Sequence, residues 1–140
     1  MTTAIYLLLA ALFLQTLLTF TVMVIMGRRR FAAARKKQIQ MAQFNTMQLD
    51  DAPEPVILAS RNFVNQFEIP VLFFVVSLAA LTLNQVSLAF SIIALLFAFS
   101  RIAHTIVHIG KNHLRTRFRL YLVGCALVML QWLTLIFTLI

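Results

Sequence analysis

The segment Ala4–Met26, AIYLLLAALFLQTLLTFTVMVIM, holds no charged residue and stops at Gly27-Arg28-Arg29-Arg30. A helix rises about 1.5 Å per residue, so roughly 20 apolar residues cross a hydrocarbon core of ~30 Å. Ala4–Met26 meets that length unaided. It has no basic region before it and its cationic cluster follows it, so it reads as a span and not as a cleaved leader.

Three more apolar runs follow: Ile69–Leu83, Val86–Ser100 and Leu120–Ile140. The last is long enough alone; the middle two are short and must draw on polar residues beside them to complete a crossing. Across the 140 residues, 61% are apolar and 11% charged, a balance that places the chain in lipid. The sequence therefore predicts an all-α integral membrane four-helix bundle, one domain over 1–140, with helices near 4–35, 53–83, 86–112 and 116–140. Asp51-Ala52-Pro53-Glu54-Pro55 reads as the cap and first turn of the second helix. Ala32–Ala34 and the Gln/Met-rich stretch after Lys37 extend the first helix. Pro70 is expected to kink the second.

The net charge of +8 suggests nucleic acid only until its positions are read. Arg28, Arg29, Arg30, Arg35, Lys36 and Lys37 follow the first span. Arg61 and Arg101 lie in or beside the second and third, and Lys111, Arg115, Arg117 and Arg119 join the third to the fourth. The turn at Asn84-Gln85 is uncharged. All twelve basic residues fall toward one face, which the positive-inside rule makes cytoplasmic, with both termini outside. The expected setting is a multi-pass protein of a bacterial inner membrane in contact with anionic lipid, with no nucleic-acid partner.

Glu68 stands 16 residues before Asn84 and Arg101 stands 16 after Gln85. Both therefore fall ~24 Å from the outer turn, and two opposite charges at one depth in lipid are expected to pair. Around them the spacing repeats. Arg61, Asn65 and Glu68 share one helical face at i, i+4 and i+7; so do Arg101, Thr105 and His108, with His104 beside them. Spacing alone leaves two readings open, a functional site and a polar network that holds the hairpin together.

RNFVNQFE at 61–68 has the form R-x-x-x-N-x-x-E, and RIAHTIVHIGK at 101–111 the form R-[IV]-A-H-T-[IV]-x-x-[IL]-G-K. Together these resemble the MAPEG family, membrane-associated proteins of eicosanoid and glutathione metabolism, the second segment most closely its prostaglandin-synthesising branch. The resemblance runs over nearly the whole chain. It implies a homotrimer of four-helix subunits binding glutathione between neighbours near the cytoplasmic side. Arg61, Asn65 and Glu68 match residues that hold the tripeptide, and His104 matches a helix-three contact. Arg117 matches the arginine beside the glutathione sulfur, which makes it the catalytic candidate. Tyr121 matches a pocket-lining tyrosine, and Arg30 a basic residue reaching a neighbour's ligand. His108 stands where the family has a stacking tyrosine and Phe118 where one branch has a serine; the latter argues against prostaglandin isomerisation.

The chemistry of glutathione suits these residue types. Arginines make forked, charge-assisted bonds to its two carboxylates, and Glu68 is free to receive its ammonium if Arg101 does not neutralise it. A fixed cation favours thiolate over a thiol whose ordinary pKa is about 8.5. The leading expectation is thus a glutathione-dependent membrane transferase or peroxidase acting on lipophilic electrophiles or lipid hydroperoxides. The alternative is a non-catalytic family member that binds lipid or protein. A small drug/proton exchanger is disfavoured because the first span has no acidic residue.

Other polar residues carry smaller expectations. Gln15, Thr16, Thr19 and Gln131 are read as hydrogen-bonding glue between helices, Cys125 as a small packing residue, and Tyr6 and Trp132 as interface anchors. Three histidines without clustered cysteine or carboxylate predict no metal site.

Overall fold

The computed structural model describes residues 2–40, 43 and 51–140. Among these, α1 is Thr3–Arg35. It opens on a Thr2 cap whose side chain accepts from Ile5 N–H and then runs 33 residues, about 50 Å at the helical rise, well beyond one hydrocarbon core. Its last turns therefore project past the membrane. The helix ends where Lys37 takes φ 56°, with Gln38 N–H returning to the Ala33 carbonyl at 3.0 Å. The expected continuation past Lys37 thus does not form at its start; Met41, Ala42 and residues 44–50 of that stretch lie outside the described residues. Ala33, Ile39, Ala52 and Val56 form a small apolar cluster that seats the ends of this connection on the bundle.

The second span is built from two helices, α2 (Glu54–Asn65) and α3 (Ile69–Thr82). Pro53 stands at the cap of α2 with no side-chain hydrogen bond, and Pro55 lies in the first turn; Asp51 does not cap it. The break at Gln66–Glu68 follows from Pro70, which lacks an N–H for the Gln66 carbonyl and whose ring crowds that carbonyl. The chain tightens instead, with Gln66 and Phe67 N–H reaching back three residues to Phe63 and Val64, and Glu68 leaves helical geometry at φ −98°, ψ −107°.

Asn84, at φ 57°, closes the uncharged turn, and Ser87 caps α4 (Leu88–Ile109) by accepting from Phe90 N–H. α4 ends at Gly110, where only glycine fits the backbone, since a Cβ there would meet the Ile106 carbonyl oxygen at 2.7 Å. The last helix, α5, is Leu114–Leu139. The result is an all-α bundle with four apolar helical spans, that of Glu54–Thr82 being the broken one.

The centre of the bundle is α4. Half of its most apolar window is buried, against 22% for α1 and α5. Phe90, Ala94, Phe97 and Ala98 face Leu8, Ala11, Phe73, Val76, Ala80, Val128 and Leu135 in one core, and the Phe73 and Phe97 rings stack at 4.4 Å. Outward-facing Phe13, Leu17, Phe20, Leu78, Phe99, Met129 and Phe137 are exposed. An apolar exterior around an apolar core is the signature of a lipid-solvated, multi-pass membrane protein, since no water-facing surface of that kind is stable.

Candidate functional site

At the basic end of the bundle α1, α2, α4 and α5 enclose a cavity of about 760 Å³, within the size range of small-molecule clefts. Arg30, Arg61, Asn65, Glu68, His104, His108, Arg117 and Tyr121 all line it. The apolar part of its wall comes from Met26, Ile57, Phe63, Val64, Leu114 and Phe118. These apolar residues, and Ser60, were not singled out by the sequence. The signal existed: Ile57, Arg61, Val64 and Glu68 fall at i, i+4, i+7 and i+11, a single face of one helix.

Arg29, Arg30 and Arg117 are each held by specific neighbours. Arg30 Nη2 and Nε donate to Ser60 Oγ at 3.0 and 3.3 Å, joining α1 to α2. Arg29 donates to the Pro55 carbonyl at 2.9 Å and to that of Ile109 at 3.3 Å; the latter is one of the carbonyls a helix end leaves without an internal partner. Arg117 Nη1 donates to Asn112 Oδ1 at 2.6 Å, which fixes the guanidinium at the start of α5. The Asn65 amide nitrogen, in the orientation that satisfies both of its ends, donates to the Arg61 carbonyl and Glu68 Oε2, each at 3.3 Å.

The Glu68–Arg101 ion pair does not form. Counting depth assumed an unbroken second helix, and the break at Gln66–Glu68 removes that premise. Glu68 leaves the helix and is exposed. Arg101 is fully buried and donates through Nη2 to the Asn65 carbonyl at 3.5 Å, a carbonyl freed by the end of α2. Its Nε and Nη1 have no partner, while the guanidinium carbon lies 5.9 Å from the Tyr121 ring centroid, within cation–π range. Glu68 is consequently a carboxylate with no cation against it among the described residues, on the wall of a cavity that also carries Arg30, Arg61 and Arg117.

Behind the cavity runs a second polar system that the sequence reading overlooked. Gln15 Nε2 donates to Gln66 Oε1 at 3.0 Å, and Gln66 Nε2 to the Asn62 carbonyl at 3.2 Å. Asn62 receives Thr105 Oγ1 at 3.3 Å and reaches His108 Nδ1 at 3.1 Å. All five side chains are buried. Gln15 thus bonds between helices as expected, whereas Thr16 and Thr19 bond only to carbonyls of their own helix, and Gln131 is buried with neither end of its amide bonded. His104 Nδ1 meets the Arg117 carbonyl at 3.2 Å, tying α4 to α5.

Arg30, Arg61 and Arg117 line the cavity together with the Glu68 carboxylate, and the Nε2 atoms of His104 and His108 have no hydrogen-bond partner among the described residues. In comparisons with known proteins, the MAPEG family model matches residues 8–137. No curated protein and no solved structure matches the chain.

Proposed function

The chain belongs to the MAPEG family, and from that membership and the charge pattern of the cavity we propose that it is a glutathione-dependent membrane transferase or peroxidase acting on lipophilic electrophiles or lipid hydroperoxides. The observation that carries this reading is the cavity itself, where an unpaired carboxylate and three arginines share one wall with apolar side chains. Bound glutathione supplies the nucleophilic, reducing thiol. Arg61 and Arg30 hold its carboxylates by charge-assisted bonds, and Glu68 holds its ammonium. Asn65, whose amide donates to the Arg61 backbone carbonyl and to Glu68 Oε2, steadies the Glu68 carboxylate. Arg117, already pinned by Asn112, presents a fixed positive charge that favours thiolate over thiol. His104, His108 and Tyr121 form the remainder of the polar wall, and Phe63, Val64 and Phe118 offer a surface to an apolar co-substrate.

We take the working unit to be a homotrimer and the cavity to face the cytoplasm of a bacterial inner membrane. A reporter active only in the cytoplasm, fused after Ile140, is then silent, and the same reporter inserted after Lys37 is active; the reverse pattern overturns this orientation. For the chemistry, detergent-solubilised protein is expected to be retained on glutathione-agarose and to develop thiolate absorbance when mixed with glutathione in a stopped-flow cell. Retention without thiolate favours a non-catalytic lipid- or protein-binding role. Neither retention nor thiolate removes glutathione from the account.

A further inference from the structure

The cations that follow the first span divide by direction. Arg29 and Arg30 turn inward, to the Pro55 and Ile109 carbonyls and to Ser60 Oγ. Arg28, Arg35 and Lys36 are exposed, and their side chains have no hydrogen bond or ion pair among the described residues. With Phe31 and Ala32 they line a groove of about 400 Å³. Arg28, Ala32 and Arg35 stand at i, i+4 and i+7, with Phe31 and Lys36 beside them, so the groove runs along one stripe of α1. Ala32 is its floor and the longer side chains are its walls. None of the residues that line it is acidic. Arg30 is about 200° around the helix from Arg28, so this groove is separate from the cavity.

The same stripe continues into the membrane. Val24, Phe20, Leu17 and Phe13 fall within about 80° of Arg28 around the axis, and all four are apolar and exposed. Thr21 lies among them and donates its hydroxyl to the Leu17 carbonyl at 2.8 Å, which leaves its methyl group to the track. Ala4–Met26 is about 34 Å long, slightly more than the ~30 Å hydrocarbon core. Arg28 therefore stands at the edge of the core and Arg35 about 10 Å beyond it. Helical side chains lean toward the N-terminus, so Arg35 reaches back toward the membrane and toward Arg28. A cationic groove at headgroup height sits directly over an apolar track at acyl-chain height. A soluble anion has no use for the track and a bare acyl chain none for the cations, whereas a phospholipid has a part for each.

We propose that this stripe of α1 binds one anionic phospholipid whose head carries two phosphodiesters joined by glycerol. The groove has three cations and no carboxylate; one phosphodiester leaves most of that charge unmet, and two bring it close to balance. Arg28 and Arg35 are two turns apart, about 10 Å along the axis, so each guanidinium makes forked, charge-assisted bonds to its own phosphate. Lys36 adds a point charge at the outer one. At about 30 Å³ per water, the groove has room for roughly a dozen, the scale of a headgroup and not of a single ion. Phe31 covers the glycerol at the interface, and acyl chains lie along Val24, Phe20 and Leu17. General attraction to an anionic leaflet treats every outward cation alike. This site instead sets Arg28, Arg35 and Lys36 apart from Arg115 and Arg119, which are also exposed at the basic end of the bundle. It involves no glutathione, so it stands or falls separately from the proposed function.

Native mass spectrometry of the detergent-solubilised full chain reads the complex directly. Tetraoleoyl diphosphatidylglycerol is expected to bind saturably and ~10-fold more tightly than dioleoyl phosphatidylglycerol, which has one phosphate fewer. Dioleoyl phosphatidylcholine should not compete. The triple change Arg28→Gln, Arg35→Gln, Lys36→Gln should weaken binding ~10²-fold, the scale of taking three cations from a lipid surface. The double change Arg115→Gln, Arg119→Gln should weaken it by less than ~3-fold. Equal losses in the two variants mean diffuse attraction and overturn the proposal. Equal affinity for the one- and two-phosphate lipids overturns the headgroup assignment, and sodium pyrophosphate binding as tightly as the lipid makes this a free-anion site. Light scattering on the same samples reads the oligomer. If the triple change dissociates it, the stripe is a contact between copies of the chain and the proposal falls; an unchanged mass together with lost lipid supports it. Should the triple variant fail to fold, Arg35→Gln alone, placed beyond the hydrocarbon core, should still lose ~5-fold in affinity, and no loss there overturns the site.

Discussion

Helix α2 and the break that follows it carry two polar rows, one residue out of step with each other. Arg61, Asn65 and Glu68 form the first, and they line the cavity. Asn62 and Gln66 form the second, and they are buried against Gln15, Thr105 and His108. The two rows share an i, i+4 step, yet one carries charges and the other only neutral amides, and their partners differ in kind. Asn62 and Gln66 find their partners within the fold, in amides, a hydroxyl and the His108 ring. The cavity face keeps its charges only partly met by the chain. Polar side chains in a span are costly, so the buried face is accounted for by what it holds together and the cavity face by what it is kept ready to hold. The comparison predicts that damage to the cavity side shows in chemistry and damage to the buried side shows in stability.

The largest expected effect is on the cavity side. Arg117→Ala should reduce conjugation or hydroperoxide turnover ~10²-fold, the scale of losing one fixed electrostatic stabiliser, while glutathione affinity changes by much less. Arg61→Ala should invert that pattern, weakening glutathione binding roughly tenfold before kcat responds, because its partner is a carboxylate present in the ground state. Both variants should unfold within ~0.5 kcal/mol of the parent chain. Equal losses of kcat and affinity in both would erase the division of labour between the two arginines.

Asn62→Ala is the matching experiment on the buried face. It removes the group that joins Gln66, Thr105 and His108. Single polar contacts between membrane helices average about 0.6 kcal/mol, and leaving several partners unmet raises the cost to about 1–2 kcal/mol. Thermal unfolding in detergent should fall accordingly. If Asn62→Ala is as stable as the parent chain and Arg61→Ala is not, the assignment of the two faces is wrong.

The same contrast explains what was legible in the sequence. Lipid permits few patterns, so the four spans could be read from apolar runs and the termini of charge; α5 and α1 needed nothing else. The cavity side announced itself because arginine and glutamate are conspicuous in a span and fall at i, i+4 and i+7. The buried side did not. Asn62 and Gln66 are also i, i+4, but as neutral amides beside louder neighbours they drew no attention, and their partner Gln15 lies 51 residues from Gln66. A tertiary amide network has no local period. Its trace in sequence is only that each polar residue in a span needs a partner somewhere.

The smallest expected effect tests the place where depth counting failed. Glu68 and Arg101 were expected to couple because each lies 16 residues from the outer turn. That count fixes height only while the helix is continuous, and Pro70 interrupts it. The chain then places Glu68 at an exposed, non-helical position and turns Arg101 inward to the Asn65 carbonyl, so the two charges feel each other through distance and not through contact. In a double-mutant cycle, Glu68→Gln and Arg101→Gln should therefore be nearly additive in thermal stability, with a coupling energy of at most about 0.5 kcal/mol. Arg101→Gln alone should change stability more than Glu68→Gln, since it alters a buried group and its neighbours. Coupling of 2 kcal/mol or more, the ~2–3 kcal/mol scale of close, interacting partners, would mean that the carboxylate reaches the guanidinium after all, and that Glu68 is not available to an ammonium in the cavity.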